Sequence, residues 1–293
     1  MMLVVGGPAS AELAREVARL ADCGFVEVET KRFPDGESYI RLAGEVRNEK
    51  AVIVQSTYPP QDTHLVQLLL LVDAAVRSKA SEVTVVIPYM AYARQDKVFR
   101  SNEPVSAEVV LKILKALKVR RIVTVDVHSP EVFGRVAVEH VNLSAIGILA
   151  RHFLDLGFKG ASSFAPDRKA ARMAEEASKI LGGGYGWFSK QRDRVTGEVS
   201  MVLEQGEAEN REIVIFDDII SSGGTVMMAA RTLKGAGAKR VYAACTHALM
   251  SEEAYRKILG SGVEEVVSTD TIPTFTSKVS VAGLLAETLR RLT

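Results

Sequence analysis

One stretch limits the folds open to this chain more than any other: Ile213 to Thr225, which reads Ile-Val-Ile-Phe-Asp-Asp-Ile-Ile-Ser-Ser-Gly-Gly-Thr. A short apolar run ends in two adjacent carboxylates, and a turn of hydroxyl and glycine residues leads into a helix-like segment, Val226 to Ala236. The order strand, loop, helix is that of an α/β unit. Gly223 and Gly224 let the backbone come close to a ligand, and the N–H groups of a helix start point at an anion. Ser221, Ser222 and Thr225 add hydroxyl donors. A helix end alone favours an anion by about 0.3–1 kcal/mol, so several donors must act together. Asp217 and Asp218 repel a phosphate; they suit sugar hydroxyls, or a cation shared with the ligand. The expected ligand is a sugar with a phosphate at one end. The plainer alternative makes Asp218 or Ser222 an N-cap and the glycines a tight turn.

The rest of the chain alternates strand and helix patterns. Strand candidates are Leu3–Val5, Phe25–Glu29, Tyr39–Leu42, Ala51–Gln55, Val83–Pro88 and Arg121–His128, then Ser162–Ala165, Val199–Leu203, Val241–Cys245 and Val263–Ser268. Helix candidates are Ala11–Leu20 with Ser10 as its cap, Thr63–Ser78, Ser106–Leu117, Ile148–Leu156, Ala170–Leu181, Glu252–Leu259 and Ala282–Leu292. Such alternation predicts parallel, doubly wound sheets. With 293 residues, 47% hydrophobic and 25% charged, the chain has the material for two domains. An echo at an offset of 119 residues, from Leu114–His128 to Leu233–His247, fits two related halves joined near Asn142 to Ile148.

Lys and Arg number 37 against 36 Asp and Glu, so no excess of positive charge points to nucleic acid or an acidic membrane. Any anion site is therefore local. Cys23 and Cys245 are isolated thiols without metal or disulfide spacing, which fits a reducing, cytoplasmic setting. The N-terminus lacks a basic n-region, and the apolar stretch Leu65–Val76 is broken by Gln67 and Asp73, so neither a leader nor a membrane span is expected.

Four further groups carry chemistry. The segment Tyr89–Pro104 is too polar for a core element and too long for an ordinary connection; its Arg94, Lys97 and Arg100 suit a polyphosphate. Strand period two places Asp126 and His128 on one face, where Asp126 orients a metal- or phosphate-binding His128. Asp167 lies where a strand stops and a helix starts, a place for a cap or a metal ligand. Lys190 and Arg192, two residues apart on an extended segment, suit a clamp on a transferring phosphoryl group, or a solvated charge run. No P-loop or protein-kinase signature is present.

The central loop resembles the phosphoribosyl-binding loop of type I phosphoribosyltransferases. Phe-Pro-Asp-Gly-Glu at 33–37, the run from Ile87 to Lys97, Arg-x-x-Glu-Pro at 100–104, Val-Asp-Val-His at 125–128, Ala-Pro-Asp at 165–167 and Lys-x-Arg at 190–192 extend the likeness over almost the whole chain. Together they are similar to the ribose-phosphate pyrophosphokinase family. That resemblance implies two tandem type I phosphoribosyltransferase-like domains, each a mainly parallel sheet flanked by helices. They would span 1–144 and 145–278, with a C-terminal helix at 279–293 packing back on the first domain. It implies an adenine-binding turn of Phe33, Asp35 and Glu37 reaching across a homodimer or higher homo-oligomer. Arg94, Gln95, Asp96, Lys97 and Arg100 would contact ATP, with His128 and Asp167 holding Mg²⁺ on it. Asp217 and Asp218 would meet the ribose hydroxyls, Ser221, Ser222, Gly223, Gly224 and Thr225 the 5-phosphate, and Lys190 and Arg192 the transferred diphosphoryl group. The chain departs from the family pattern at Ser221, where many members carry an acid, at Arg168-Lys169 and at the apolar pair Val98-Phe99. A phosphoribosyltransferase, or a non-catalytic regulatory relative, remains the alternative.

Overall fold

The computed structural model describes residues 1–192 and 199–292. The chain divides into two compact units, Met1–Leu143 with Ser280–Thr293, and Ser144–Val279.

In the first unit, in chain order, lie β1 (Met2–Gly6), α1 (Ala11–Ala21), β2 (Gly24–Val26), β3 (Val28–Arg32), β4 (Ser38–Leu42) and β5 (Lys50–Val54). They are followed by α2 (Gln61–Arg77), β6 (Glu82–Ile87), α3 (Ser106–Ala116), β7 (Arg121–Val125), α4 (Glu131–Val136) and β8 (Glu139–Leu143). Six strands form one sheet in the order β2-β1-β5-β6-β7-β8, every neighbouring pair parallel. The runs in β5, β6 and β7 are rich in valine and isoleucine because a parallel sheet is covered on both faces. Val5, Ile53, Val85 and Ile122 are fully buried, packed with Leu68 and Leu71 of α2 and Leu111 and Leu114 of α3. β3 and β4 form a separate antiparallel hairpin. The expected strand Phe25–Glu29 is thus two strands that belong to different sheets. Ser10 is the N-cap residue of α1 as expected, but its side chain makes no cap bond; its hydroxyl accepts from the Ser56 N–H at 2.9 Å.

The second unit holds α5 (Ile146–Asp155), β9 (Ser162–Ala165), α6 (Ala171–Leu181), β10 (Tyr185–Arg192), β11 (Val199–Gln205) and β12 (Glu212–Ile220). After them come α7 (Gly224–Gly235), β13 (Arg240–Ala248), α8 (Glu252–Leu259), β14 (Val263–Thr269) and β15 (Ser277–Val279). The sheet order is β11-β10-β9-β12-β13-β14-β15, parallel apart from the β10–β11 pair. One side of it is sealed by Val226, Ala229 and Leu233 of α7. Leu149 and Phe153 of α5, with Ala177 and Leu181 of α6, close the other.

The two sheet orders match as β2-β1-β5-β6-β7-β8 against β10-β9-β12-β13-β14-β15. By that match β13 answers to β6 and α7 to α2, so the echo at 119 residues, which sets β7 beside β13, is one strand out of step. The final helix, α9 (Ala282–Leu292), packs on α1, as α5 packs on α6 in the second unit. It buries Ala282, Leu285, Ala286 and Leu289 at helical spacing. Among the described residues no helix is long and apolar enough to cross a membrane.

Candidate functional site

The Asp-Asp pair lies in strand, not loop. β12 runs on past both acids to Ile220, with Asp217 opposite Cys245, Ile219 opposite His247 and Ile220 opposite Ala248 of β13. Carboxylates read as turn residues in sequence, but here Asp217 still pairs with β13, and Asp218 lies between paired residues within β12. The Asp217 carboxylate accepts from the Asp218 N–H at 2.9 Å, and that of Asp218 accepts from the Ile219 N–H at 2.8 Å. Burial pushes the Asp217 carboxyl well above the usual range, with the charge of Asp218 beside it and that of Asp167 adding to the effect. Burial also raises the Cys245 thiol, and the Asp217 charge raises it further, which makes Cys245 an inert core side chain.

The loop proper is only Ser221 to Gly223. Gly223 has φ +76° and lies against Ile258; a Cβ there would come within 2.6 Å of Ile258 Cγ1 and Cδ1. This glycine is the N-cap of α7, so the cap position itself carries no side chain. The N-cap reading of Asp218 or Ser222 therefore does not hold, and α7 starts beside the exposed Ser221 and Ser222. Lys190, exposed on β10, reaches this helix start and donates from Nζ to Thr225 Oγ1 at 3.3 Å. The side chain of Arg192 lies outside the described residues. Asp167 follows β9, and its Oδ1 accepts from the N–H groups of Lys169 at 2.8 Å and Ala170 at 3.0 Å. It thus orders the turn into α6, Arg168-Lys169 included.

In the first unit the β3–β4 hairpin presents residues 33–37 outward. Its turn is self-supporting: the Phe33 N–H donates to the Glu37 carbonyl at 2.8 Å, the Gly36 N–H to Phe33 at 2.9 Å, and the Glu37 N–H to the Asp35 carboxylate at 3.1 Å. Phe33, Asp35 and Glu37 are all exposed. The Lys31 ammonium lies 4.9 Å above the Phe33 ring and 5.0 Å above that of Tyr39.

The long segment after β6 has a fixed root and an exposed crown. Ser106 at the start of α3 donates from its hydroxyl to the Gln95 side-chain oxygen, and the Ala107 N–H to the Gln95 carbonyl at 3.3 Å. Lys97, Val98, Phe99 and Arg100 are exposed, as is Arg94. The Glu103 carboxylate folds the crown by accepting from the N–H groups of Phe99 and Arg100.

β7 stops at Val125 rather than reaching His128. Asp126 takes φ +38° and is buried, with its N–H on the Leu143 carbonyl at 2.8 Å, while His128 is exposed. The period-two argument for one shared face therefore has no strand to rest on. What holds the turn is Asn142, which sequence reasoning missed: its Oδ1 accepts from the Val127 N–H at 3.0 Å and from the Thr124 hydroxyl at 2.9 Å. An edge-strand asparagine carries no pattern that would have singled it out.

Both units thus offer groups for anionic ligands at the carboxyl ends of parallel strands, where open α/β sheets bind ligands. A family model described as "N-terminal domain of ribose phosphate pyrophosphokinase" matches residues 2–117, and one described as "Phosphoribosyl synthetase-associated domain" matches residues 196–293. The chain is 36% identical over 294 residues to a ribose-phosphate pyrophosphokinase from Sulfolobus acidocaldarius, covering 99% of this chain and 100% of the relative. The corresponding protein from Methanothermobacter thermautotrophicus is 39% identical over 293 residues, covering 98% and 100%. The chain belongs to the ribose-phosphate pyrophosphokinase family. The crystal structure of phosphoribosylpyrophosphate synthetase from Mycobacterium smegmatis matches with a TM-score of 0.88 at 30% identity, covering 99% of this chain and 98% of that one. Within the family's two matched regions fall the hairpin turn, the Arg94–Arg100 segment and the Ser221–Thr225 loop, whereas His128, Asp167 and Lys190 lie in the intervening residues 118–195.

Proposed function

We propose that this member of the ribose-phosphate pyrophosphokinase family transfers the β,γ-diphosphoryl group of ATP to O1 of ribose 5-phosphate, giving 5-phosphoribosyl 1-diphosphate and AMP for nucleotide synthesis. Full-length likeness to pyrophosphokinases supports the reaction. The observation that supports the site assignment is Lys190 reaching Thr225 at the start of α7, whose N-cap is Gly223.

In this reading Ser221, Ser222, Gly223, Gly224 and Thr225 hold the 5-phosphate with backbone and hydroxyl donors. Asp217 and Asp218 accept from ribose hydroxyls, and the raised Asp217 carboxyl is relieved once a donor or a cation faces it. The ribose O1 attacks the β-phosphorus, its hydroxyl proton passing to solvent, as the bond from that phosphorus to the oxygen retained by AMP breaks. Lys190 and Arg192 hold the charge spread over the transferred oxygens, and positioning does most of the remainder. ATP is assigned to Phe33, Asp35 and Glu37 for adenine, and to Arg94, Gln95, Lys97, Arg100 and His128 for the phosphates.

Mg²⁺ fits the donors present. Asp167 offers a hard carboxylate oxygen and His128 an exposed imidazole, and Mg²⁺ is characteristically held by one or two carboxylates with substrate phosphates and water completing its shell. Among the described residues no group of three His, Cys, Asp or Glu could hold a metal ion; in this reading, oxygens of the nucleotide and water would complete the shell. When bound, Mg²⁺ would supply neutralisation of the phosphate charge. The outward hairpin supports a homo-oligomer in which Phe33, Asp35 and Glu37 serve a neighbouring copy. The unpaired thiols Cys23 and Cys245 suit the cytoplasm.

The test is a product assay with ATP, Mg²⁺ and ribose 5-phosphate that follows AMP and 5-phosphoribosyl 1-diphosphate together. Equal amounts of both, abolished by chelation and restored by Mg²⁺, support the reading. ADP in place of AMP overturns diphosphoryl transfer, and no turnover in any mixture favours a non-catalytic relative.

A further inference from the structure

We infer that Asp96 is a positioning residue rather than a nucleotide contact, and that Ser129 and Arg135 act through it to set the Arg94–Arg100 lid and the His128 turn as one unit. The inference rests on the assignment of both segments to ATP. Three observations carry it.

First, the Asp96 carboxylate is already engaged: Oδ2 accepts from the Ser129 hydroxyl at 3.0 Å, across 33 residues of sequence. Ser129 is 6% exposed and directly follows His128, so the bond ties the lid to the residue next to the imidazole. Second, the Asp96 carbonyl accepts from Arg135 Nη2 on α4, and the same guanidinium donates through Nε to Glu108 of α3 at 3.0 Å. Backbone and side chain of one lid residue are thus gripped from two directions, while Lys97 to Arg100 just beyond are exposed. Third, the charge is wrong for contact. A carboxylate turned toward a polyphosphate is repelled, whereas turned onto Ser129 it is satisfied away from the phosphates and leaves the lid cations to meet them.

A flexible polar loop must lose conformational freedom when it closes on a ligand, and a root fixed in advance lowers that cost. Losing one hydrogen bond to a charged group therefore weakens ATP more than ribose 5-phosphate. The experiment uses the full chain and measures binding of ATP with Mg²⁺, and of ribose 5-phosphate, by calorimetry, alongside KM and kcat. Ser129→Ala is expected to weaken ATP by about five- to tenfold in both Kd and KM, with ribose 5-phosphate changed less than about twofold. Ser129→Thr, which keeps the hydroxyl, restores most of the loss. Arg135→Gln, on the protein surface, produces the same ATP-selective weakening and serves where Ser129→Ala folds poorly. Unchanged ATP affinity in both variants overturns the inference, as does equal weakening of both ligands. Wild-type protein that binds ATP but forms no AMP overturns the proposed reaction instead, and the ATP-binding comparison still decides the role of Ser129.

Discussion

The ammonium of Lys190 donates to the hydroxyl of Thr225 at 3.3 Å, joining β10 to the first turn of α7. A helix start is itself the positive end of a dipole, so a lysine placed there is unfavourable unless an anion lies against both. In the proposed reading, these two positive features, with Gly223 as the N-cap, receive the negative charge of the substrate.

Replacing Lys190 should therefore strike the chemical step. Lys190→Ala is expected to lower kcat by about 10²- to 10³-fold while the Kd for ATP moves less than about threefold. Rapid-quench measurement of AMP formation beside calorimetric ATP binding separates the two. Equal losses would move Lys190 into ground-state binding.

Gly223 is open to two separate penalties. Gly223→Ala forces a side chain onto φ +76° and drives Cβ to 2.6 Å from Ile258. Thermal or urea unfolding should show a loss of about 1–3 kcal/mol, and the KM for ribose 5-phosphate should rise about tenfold as the loop shifts. A variant with wild-type stability and KM would show that the loop tolerates a different backbone.

His140 makes stability depend on pH. Its ring stacks on Phe133 with centroids 3.4 Å apart, and its Nε2 lies 2.8 Å from the Thr124 hydroxyl. Thr124 gives its own proton to Asn142, so His140 must be the donor to Thr124, which a neutral ring with a proton on Nε2 satisfies. Burial lowers the His140 pKa to about 4, against about 6.5 in the unfolded chain. The unfolded state binds more protons between these values, so this contribution is complete above about pH 6.5 and is lost as pH falls toward 4. Discounted for the ring's partial exposure, it amounts to about 1–2 kcal/mol. Melting midpoints of wild type and His140→Gln should converge as pH drops from 7 to 4.5; a constant gap would contradict the assignment.

A shared ATP site predicts complementation. Asp35→Ala and Lys190→Ala, each poor alone, should regain part of the wild-type rate when mixed as heterodimers, because one copy then has an intact hairpin and the other an intact Lys190. Mass-verified mixed dimers without any gain would confine the hairpin to its own chain.

What could be read in advance follows from how strongly each feature depends on local sequence. The continuous valine and isoleucine runs of β5, β6 and β7 declare buried parallel strands, and Leu285 and Leu289 mark the inner face of α9 through their spacing alone. The turn from β12 into α7 was legible because hydroxyl and glycine residues directly after an apolar run mark the passage from strand to helix. Strand ends were less so. Asp217 and Asp218 look like turn residues but continue β12, because pairing with β13 outweighs their propensity; β7 stops early because Asp126 turns left-handed. Ser129, Arg135 and Asn142 were illegible for a different reason. Each acts on a residue distant in sequence or through backbone, and a lone serine, arginine or asparagine carries no periodic signal.

The first compact unit is stitched from both ends of the chain, with α9 lying on α1. During synthesis on the ribosome, α1 emerges with its partner still unmade, and nearly the whole remaining message must be translated before that face is covered. The second unit, continuous from Ser144 to Val279, has no such wait. The half of the molecule translated first is thereby the one completed last, and its unpaired helix face is where a chaperone would find exposed surface on the nascent chain.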